Sequence, residues 1–239
     1  MRKASINIFL TAMLIIAISA TPARKFYTYT FSYDNVLGTS LDIKLSATTQ
    51  EAANAGEVKV LAEIDRQNTI LSGYSDQSEF KRWAATADKP VQVSKELFEV
   101  LELFDTWTAA TSGALTPAAE TIGQVWKHAA STGSVPSANM LSTAVNRAGG
   151  KHWMLNREDQ TATRLGNAPL ALNTFVKGYI IDKAVDKALR SMDVNGIVLN
   201  IGGDIFVKGQ QVEPISVSDP RSDAENASPL AILNITNKA

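Results

Sequence analysis

The chain has 239 residues, of which 45% are hydrophobic and 20% charged, and its formal net charge is −1. This nearly neutral balance argues against nucleic-acid binding, which needs a positively charged face. The absence of cysteine excludes disulfides and thiolate metal sites, and the presence of only two histidines argues against a histidine-rich zinc site, so any bound metal is expected to be a hard cation with oxygen ligands.

Residues 1–20 have the pattern of a secretory signal peptide. Arg2 and Lys3 precede an apolar run from Ile6 to Ala20, and Pro22 follows it. The run is shorter than the roughly 20 residues that a membrane-spanning helix needs, which favours cleavage after Ala20 over an uncleaved anchor. We therefore expect an exported protein, periplasmic or otherwise extracytoplasmic, that is soluble after cleavage and has no stable membrane insertion.

A pair of strands and a long helix are predicted at the start of the mature chain. The range Phe26–Leu45 alternates apolar or aromatic residues with polar ones, which predicts two strands around a turn at Gly38. Apolar residues at helical spacing then predict a helix over Gln50–Leu71. The polar residues that follow, Ser72 to Phe80, predict a loop.

The rest of the chain is predicted to combine helices with short strands. Ser94 is a suitable N-cap for a helix that Gly113 should end, and the region after it predicts loops and one short helix. A hairpin is predicted within Lys151–Leu165, followed by a strand and then a helix within Leu170–Leu189. These elements indicate an α+β fold, with a single domain over residues 26–239 and mixed or antiparallel sheets flanked by helices.

An anion site is predicted where the last of these helices begins. A strand is expected to end near Asn173 and Thr174, and the helix to begin near Phe175 or Val176. The first turn of a helix carries unpaired N–H groups and a partial positive charge. Lys177 adds a full positive charge there, and Gly178 leaves space for a phosphate. The alternative interpretation is an ordinary helix start with an exposed lysine.

The range Ile197–Gly209 has an apolar run on each side of a Gly-Gly-Asp turn. Asn195 and Gly196 are predicted to end the preceding helix and to lead into this range. Gly202 and Gly203 tolerate positive φ, so the simplest interpretation of the turn is a tight hairpin. The turn alone does not identify a ligand.

Five segments, in a fixed order, resemble the ApbE-type FAD:protein FMN transferases. They are NVLGTSLDIKL, ILSGYSDQSEF, TSGALTPAAETIGQVW, FVKGYIIDKAVDKAL and GIVLNIGGDIFVKG, and they extend from Asn35 to Gly209. The resemblance implies an exported enzyme that binds Mg²⁺ and uses FAD as its substrate. Such an enzyme attaches FMN through a phosphoester to a threonine of a partner protein, a redox or electron-transfer subunit, and releases AMP.

The resemblance also implies site residues. Tyr74 stands at the family's aromatic residue, which is suited to stacking on a planar ring, and Lys177 stands at its FAD-contacting lysine. Leu37 stands at the methionine beside the flavin, and Thr174 stands where a backbone carbonyl reaches the metal. Gly202–Asp204 are expected to shape the hairpin rather than to touch the substrate. The other expected FAD contacts are Ala114, Leu115, Thr116 and Ala171.

Several positions depart from the family pattern. Leu115 and Thr116 replace a Phe-Asp pair. Ala171 replaces an aspartate that holds FAD, and Val176 replaces a small residue before the lysine. These changes are expected to weaken ligand binding more than the fold.

The end of the sequence also differs from the family. The family continues past the equivalent of Ala239 with an Asp-Ala-x-x-Thr stretch that supplies metal-binding oxygens. The sequence therefore predicts a fold that lacks its C-terminal part and ends in an unpaired strand. Two alternatives stay open: an FAD hydrolase that yields FMN and AMP, and a non-catalytic FAD-binding protein.

Overall fold

The structure, a computed structural model, describes residues 24–221 and 228–239. The predicted signal peptide, residues 1–20, lies outside the described residues, so cleavage and export stay predictions. Within the described ranges, no helix combines the length and the apolar composition that crossing a bilayer requires.

A four-stranded antiparallel sheet is central to the fold, with the strand order β1-β2-β6-β7. The first predicted strand pair is confirmed, and so is the hairpin around the Gly-Gly-Asp turn, which joins β6 to β7. The bounds are β1 Tyr27–Val36, β2 Thr39–Ala47, β6 Val194–Ile201 and β7 Asp204–Gly209.

The described residues form six helices, and two of the predicted ones are confirmed at their N-termini. The first begins after Thr49, whose hydroxyl accepts a hydrogen bond from the N–H of Ala52 at 3.1 Å. The third begins after the predicted N-cap Ser94, whose hydroxyl accepts from the N–H of Leu97 at 3.2 Å. The bounds are α1 Gln50–Leu71, α2 Glu79–Ala84, α3 Lys95–Ala110, α4 Glu120–Thr132, α5 Ala138–Ala148 and α6 Asn173–Ala188.

The main core lies between one face of the central sheet and the helices α1, α3 and α6. Alternate residues of β2 supply one side of it, and Leu41, Ile43 and Leu45 are fully buried. Ile64 of α1 and Ile181 of α6 are buried in the same cluster. Each such side chain contributes about 1.5–3 kcal/mol relative to an exposed one, so α6 is held firmly against the sheet.

Two smaller antiparallel sheets complete the fold, with the orders β3-β5-β4 and β8-β9. The hairpin predicted within residues 151–165 is confirmed as β4 and β5, and the α+β class with antiparallel sheets is confirmed. The final strand was expected to be unpaired, but β9 pairs with β8, and Lys238, after the end of β9, pairs with Val207 of β7. The bounds are β3 Pro90–Gln92, β4 Trp153–Asn156, β5 Thr161–Arg164, β8 Glu213–Val217 and β9 Ala231–Ile235.

Part of the loop predicted after α1 is helical. Residues 79–84 form α2, because Phe80 and Trp83 lie on one helical face and are buried in the core. The hydroxyl of Ser78 caps this helix by accepting a hydrogen bond from the N–H of Lys81 at 3.1 Å. Further along, α4 and α5 are two helices where the sequence predicted loops and one short helix.

Two predictions around α6 were also wrong. Residues 170–172 form part of a loop rather than a strand. The N–H of Ala171 donates to the carbonyl of Pro117, in another loop, at 2.8 Å instead of to a neighbouring strand. Asn195 and Gly196 lie inside β6 rather than at the end of a helix, which ends at Ala188. Gly196 pairs there with residues of β2 and β7, so sheet pairing overrides the local Asn-Gly turn signal.

Candidate functional site

Two hairpin turns lie against each other at one end of the strands of the central sheet. The β6–β7 turn touches the start of β2, where a Cβ added at Gly202 would lie 2.5 Å from the Oγ1 atom of Thr39. The N–H of Gly202 donates to the carbonyl of Ser40 at 3.1 Å, and the N–H of Gly203 donates to Asn200 Oδ1 at 2.9 Å. This close approach explains why the turn contains glycine, and it fixes the position of the residue that follows.

The β1–β2 turn carries Leu37 in a left-handed conformation, with φ of 51°, next to Gly38 with φ of 79°. This conformation costs a residue with a side chain roughly 1–2 kcal/mol. Backbone strain of this kind concentrates at functional sites. Leu37 lines a cavity, so the strained backbone places an apolar side chain on a cavity wall.

A cavity of about 250 Å³ lies between the C-terminal end of α1, the loop after it and the first turns of α6. It brings together three of the predicted site residues: Leu37, Tyr74 and Lys177. Its volume is below the roughly 300–1,000 Å³ of whole small-molecule sites, so it can enclose only part of a ligand of that size. The other lining residues are Asn68, Leu71, Ser72, Gly73, Asn173, Val176 and Ile180.

Tyr74 presents its ring at this cavity. The residue is 87% exposed, and its hydroxyl accepts a hydrogen bond from Asn173 Nδ2 at 3.1 Å. An exposed aromatic ring held by a hydrogen bond at its far end is suited to stacking on a planar ligand. Asn173 was not among the predicted site residues, although its position immediately before Thr174 at the start of α6 is a signal that could have identified it.

The N-terminus of α6 carries no side-chain cap. Leu172 at the N-cap position makes no side-chain hydrogen bond and is buried, so packing places it there. The helix begins at Asn173, before the predicted start at Phe175 or Val176. Its first-turn N–H groups therefore lie beside the cavity and are available to a bound anion.

Lys177 lies one turn into α6, and its side chain is 36% exposed. Its Nζ atom lies 3.5 Å from Asp204 Oδ2, at the first residue of β7. Asp204 was expected to shape the hairpin rather than to touch the substrate, and the structure also pairs its carboxylate with this lysine. Nothing in the local sequence of either residue predicts this contact, because it joins a helix to a hairpin turn.

The remaining predicted FAD contacts do not line this cavity. The hydrogen bond between Ala171 and Pro117 joins the residues before α6 to the range 114–117. Leu115 packs against the main core, and Ala114 is exposed. Ala171 therefore lies just before α6 and contacts the loop that contains residues 114–117, but none of these residues lines the cavity at Lys177.

Thr116 lines a second cavity, of about 320 Å³, between α3 and the C-terminal end of α5. Its hydroxyl donates to the carbonyl of Ala148 at 2.6 Å and accepts from the N–H of Ala118 at 3.2 Å. Both bonds hold the loop together, so this hydroxyl serves the local structure.

Thr174, the predicted metal contact, is exposed in the first turn of α6. Helical geometry directs its carbonyl towards the N–H of Gly178, which leaves a second lone pair free. Across the described ranges, no three histidine, aspartate or glutamate side chains form a group that could hold a metal ion. Mg²⁺ usually keeps several water ligands and is bound through one or two carboxylates together with substrate phosphates, so the carbonyl of Thr174 fits one position of such a site and the described residues do not complete it.

A polar cluster fixes α6 against α3. The hydroxyl of Tyr179 donates to Glu99 Oε2 at 2.6 Å, and Lys183 Nζ donates to the same oxygen at 3.1 Å. Burial raises the pKa of Tyr179 well above its usual value, and the hydrogen bond to Glu99 raises it further. Burial acts to raise the pKa of Glu99, but the two hydrogen bonds and the positive charges of Lys183 and Lys95 together outweigh it, so this pKa lies below its usual value.

Comparison with known sequences identifies one family. Residues 37–239 match the model of the ApbE family. An FAD:protein FMN transferase of Klebsiella pneumoniae (strain 342) is 25% identical over 222 residues, which cover 87% of this chain and 62% of the relative. Another, of Treponema pallidum (strain Nichols), is 25% identical over 182 residues, which cover 73% of this chain and 50% of the relative. The chain thus spans about half to three fifths of the length of these relatives.

Solved structures share the fold. The flavinyl transferase ApbE of Pseudomonas stutzeri in its apo form aligns with a TM-score of 0.71 at 18% identity, over 90% of this chain and 68% of the other. The ApbE protein of Thermotoga maritima aligns with a TM-score of 0.70 at 20% identity, over 89% and 68%. At this level of identity the similarity establishes the α+β architecture.

Proposed function

This chain belongs to the ApbE family, and we propose that it is an FAD:protein FMN transferase that acts outside the cytosol. FAD is the proposed substrate, and the acceptor is a threonine of a redox or electron-transfer protein. The observation that carries the proposal is the cavity at the start of α6, which combines an exposed aromatic ring, an apolar wall and a lysine.

In the proposed complex, the flavin ring stacks on Tyr74 and the diphosphate lies at the start of α6. Leu37 packs against the apolar part of the flavin ring. Lys177 and the first-turn N–H groups bind the diphosphate oxygens, because both carry positive charge next to the cavity. The AMP end extends beyond the cavity towards the residues around Ala171, which is consistent with the small cavity volume.

The proposed transfer is a substitution at phosphorus. The hydroxyl oxygen of the acceptor threonine attacks the phosphorus atom of the FMN half of FAD, and a new P–O bond forms. The bond from this phosphorus to the bridging oxygen breaks, AMP leaves with that oxygen, and the hydroxyl proton is released. Lys177 and the N–H groups of α6 offset the negative charge on the diphosphate oxygens during this step.

Magnesium dependence is also part of the proposal. The carbonyl of Thr174 is the oxygen that we propose as its ligand in this chain. The described residues supply no further cluster of acidic ligands for it.

The proposal is tested by incubating the chain with FAD, Mg²⁺ and an acceptor domain that carries the target threonine. The expected result is a fluorescent flavin–acceptor adduct in denaturing gels, together with one AMP for each adduct. An acceptor in which this threonine is alanine is the matched control, and it should form no adduct. If the chain produces neither adduct nor AMP, the transferase proposal is wrong.

A second candidate function is FAD binding without transfer. The observation that favours it is the lack of an acidic metal-binding group among residues 24–221 and 228–239. It predicts saturable quenching of FAD fluorescence without AMP at any Mg²⁺ concentration. Release of free FMN and AMP without an acceptor would instead identify an FAD hydrolase.

A further inference from the structure

Asp204 forms an ion pair with Lys177, the cation that the proposed ligand would bind. Lys177 is the one charged residue among those that line the cavity within the described ranges. Its Nζ atom lies 3.5 Å from Asp204 Oδ2, and the two side chains are 36% and 57% exposed. A carboxylate is therefore already within ion-pair distance of this lysine before any ligand binds.

The two partners differ in their freedom to move. Asp204 starts β7 opposite Ile201, immediately after the turn that Thr39 and Asn200 fix in place. A lysine ammonium, in contrast, lies at the end of a flexible four-carbon chain. The ammonium is therefore the partner that moves when an anion enters the cavity, and the carboxylate stays at the edge of the sheet.

We propose that Asp204 is a resident counter-ion of Lys177, which an anionic ligand must displace. The contact then lowers the affinity of the site for anions and favours ligands with at least two negative charges, because a single charge gains little by replacing a carboxylate. The identity of the ligand, the diphosphate of FAD, rests on the proposed function. The displacement itself depends only on the contact between Lys177 and Asp204.

The test compares Asp204→Asn with the unchanged chain, using inorganic diphosphate in calorimetry and FAD in fluorescence quenching. At low salt, Asp204→Asn should bind both ligands about three- to fivefold more tightly, because the ligand no longer has to break a partly exposed ion pair to reach Lys177. The gain should shrink in high salt, because exposed charges are screened.

Asp182→Asn is the matched control. Asp182 Oδ1 lies 3.7 Å from Lys208 Nζ, with exposures of 42% and 36%, so this variant removes a similar pair and the same charge elsewhere. It should change ligand affinity by less than about twofold. Thermal unfolding of both variants checks that the fold is retained.

A Lys177→Met background separates displacement from simple repulsion. If Asp204 acts through the lysine, the gain from Asp204→Asn should fall to under about twofold in this background, because the pair is already absent. An undiminished gain would show direct repulsion of the ligand and would overturn the counter-ion role. Weaker or unchanged binding in Asp204→Asn alone would overturn it as well.

The same experiment separates this inference from the proposed function. Tighter diphosphate binding by Asp204→Asn, in a chain that neither binds FAD nor releases AMP, would support the counter-ion role and contradict the transferase. Flavin transfer by a chain in which Asp204→Asn binds no more tightly would support the transferase and contradict the counter-ion role.

Discussion

Substitution of Gly202 by alanine should destabilise the protein more than the same change at Gly203. Both glycines have positive φ, 60° and 95°, so both alanines incur the backbone strain of about 1–2 kcal/mol. At Gly202 the new Cβ would also lie 2.5 Å from Thr39 Oγ1 and 2.7 Å from Thr39 Cγ2. At Gly203 no atom lies within 4 Å of the new Cβ.

The contact with Thr39 sets the size of the difference. Overpacking of this kind costs typically about 1–3 kcal/mol, so Gly202→Ala should lower the free energy of unfolding by about 2–5 kcal/mol in total. Gly203→Ala should lower it by about 1–2 kcal/mol. Thr39→Ala removes both close atoms and leaves Cβ at 3.1 Å, so in combination with Gly202→Ala it should recover much of the difference.

The assay is urea unfolding, followed by the fluorescence of the four tryptophans. A double-mutant cycle between positions 39 and 202 measures the coupling, which should be about 1–3 kcal/mol. Equal losses for Gly202→Ala and Gly203→Ala, with no coupling to Thr39→Ala, would show that the two turns do not press on each other as described.

Three further changes test other parts of the structure. Leu37→Asn should have a higher urea midpoint than Leu37→Ala, because both variants lose the contacts of Leu37 with the core but asparagine tolerates the left-handed conformation better; equal midpoints would contradict the strain at this turn. Ser94→Ala should lower the free energy of unfolding by about 1 kcal/mol through loss of the bond to Leu97, measured in the same way, and no change would contradict the cap. Because the folded pKa of Glu99 is lowered, its carboxylate stabilises the fold above its unfolded pKa of about 4.3, and this contribution is lost as the pH falls through the folded pKa. Glu99→Gln should therefore reduce stability near neutral pH and flatten the acid dependence of the urea midpoint, and an unchanged pH profile would show that the bonds from Tyr179 and Lys183 contribute nothing.

The sequence predicted those elements whose signals are local. Gln50–Leu71 combines apolar residues at helical spacing with a capping threonine just before it, and Ser94 caps α3 in the same way. The helix α2 was missed because it is short and lies in a polar segment, where only Phe80 and Trp83 face the core. Asn195 and Gly196 resemble a turn, and only pairing with two neighbouring strands makes them part of β6.

The candidate site was predictable in its parts but not in its arrangement. Family resemblance indicated Leu37, Tyr74 and Lys177, which come from separate parts of the chain. Their meeting at one cavity depends on how α1, α6 and the hairpin turns pack, which no local pattern contains. The contact between Lys177 and Asp204 is tertiary for the same reason, so only the structure could reveal it.

Equilibrium titration of FAD fluorescence tests most directly whether the cavity at the start of α6 binds the dinucleotide through Lys177. The chain should quench FAD fluorescence saturably, and Lys177→Met should weaken binding by about tenfold or more, as expected for loss of a charge-assisted hydrogen bond. Lys127→Met, which removes an exposed lysine on α4, should leave the affinity unchanged. Equal affinities for the chain and Lys177→Met would contradict this assignment.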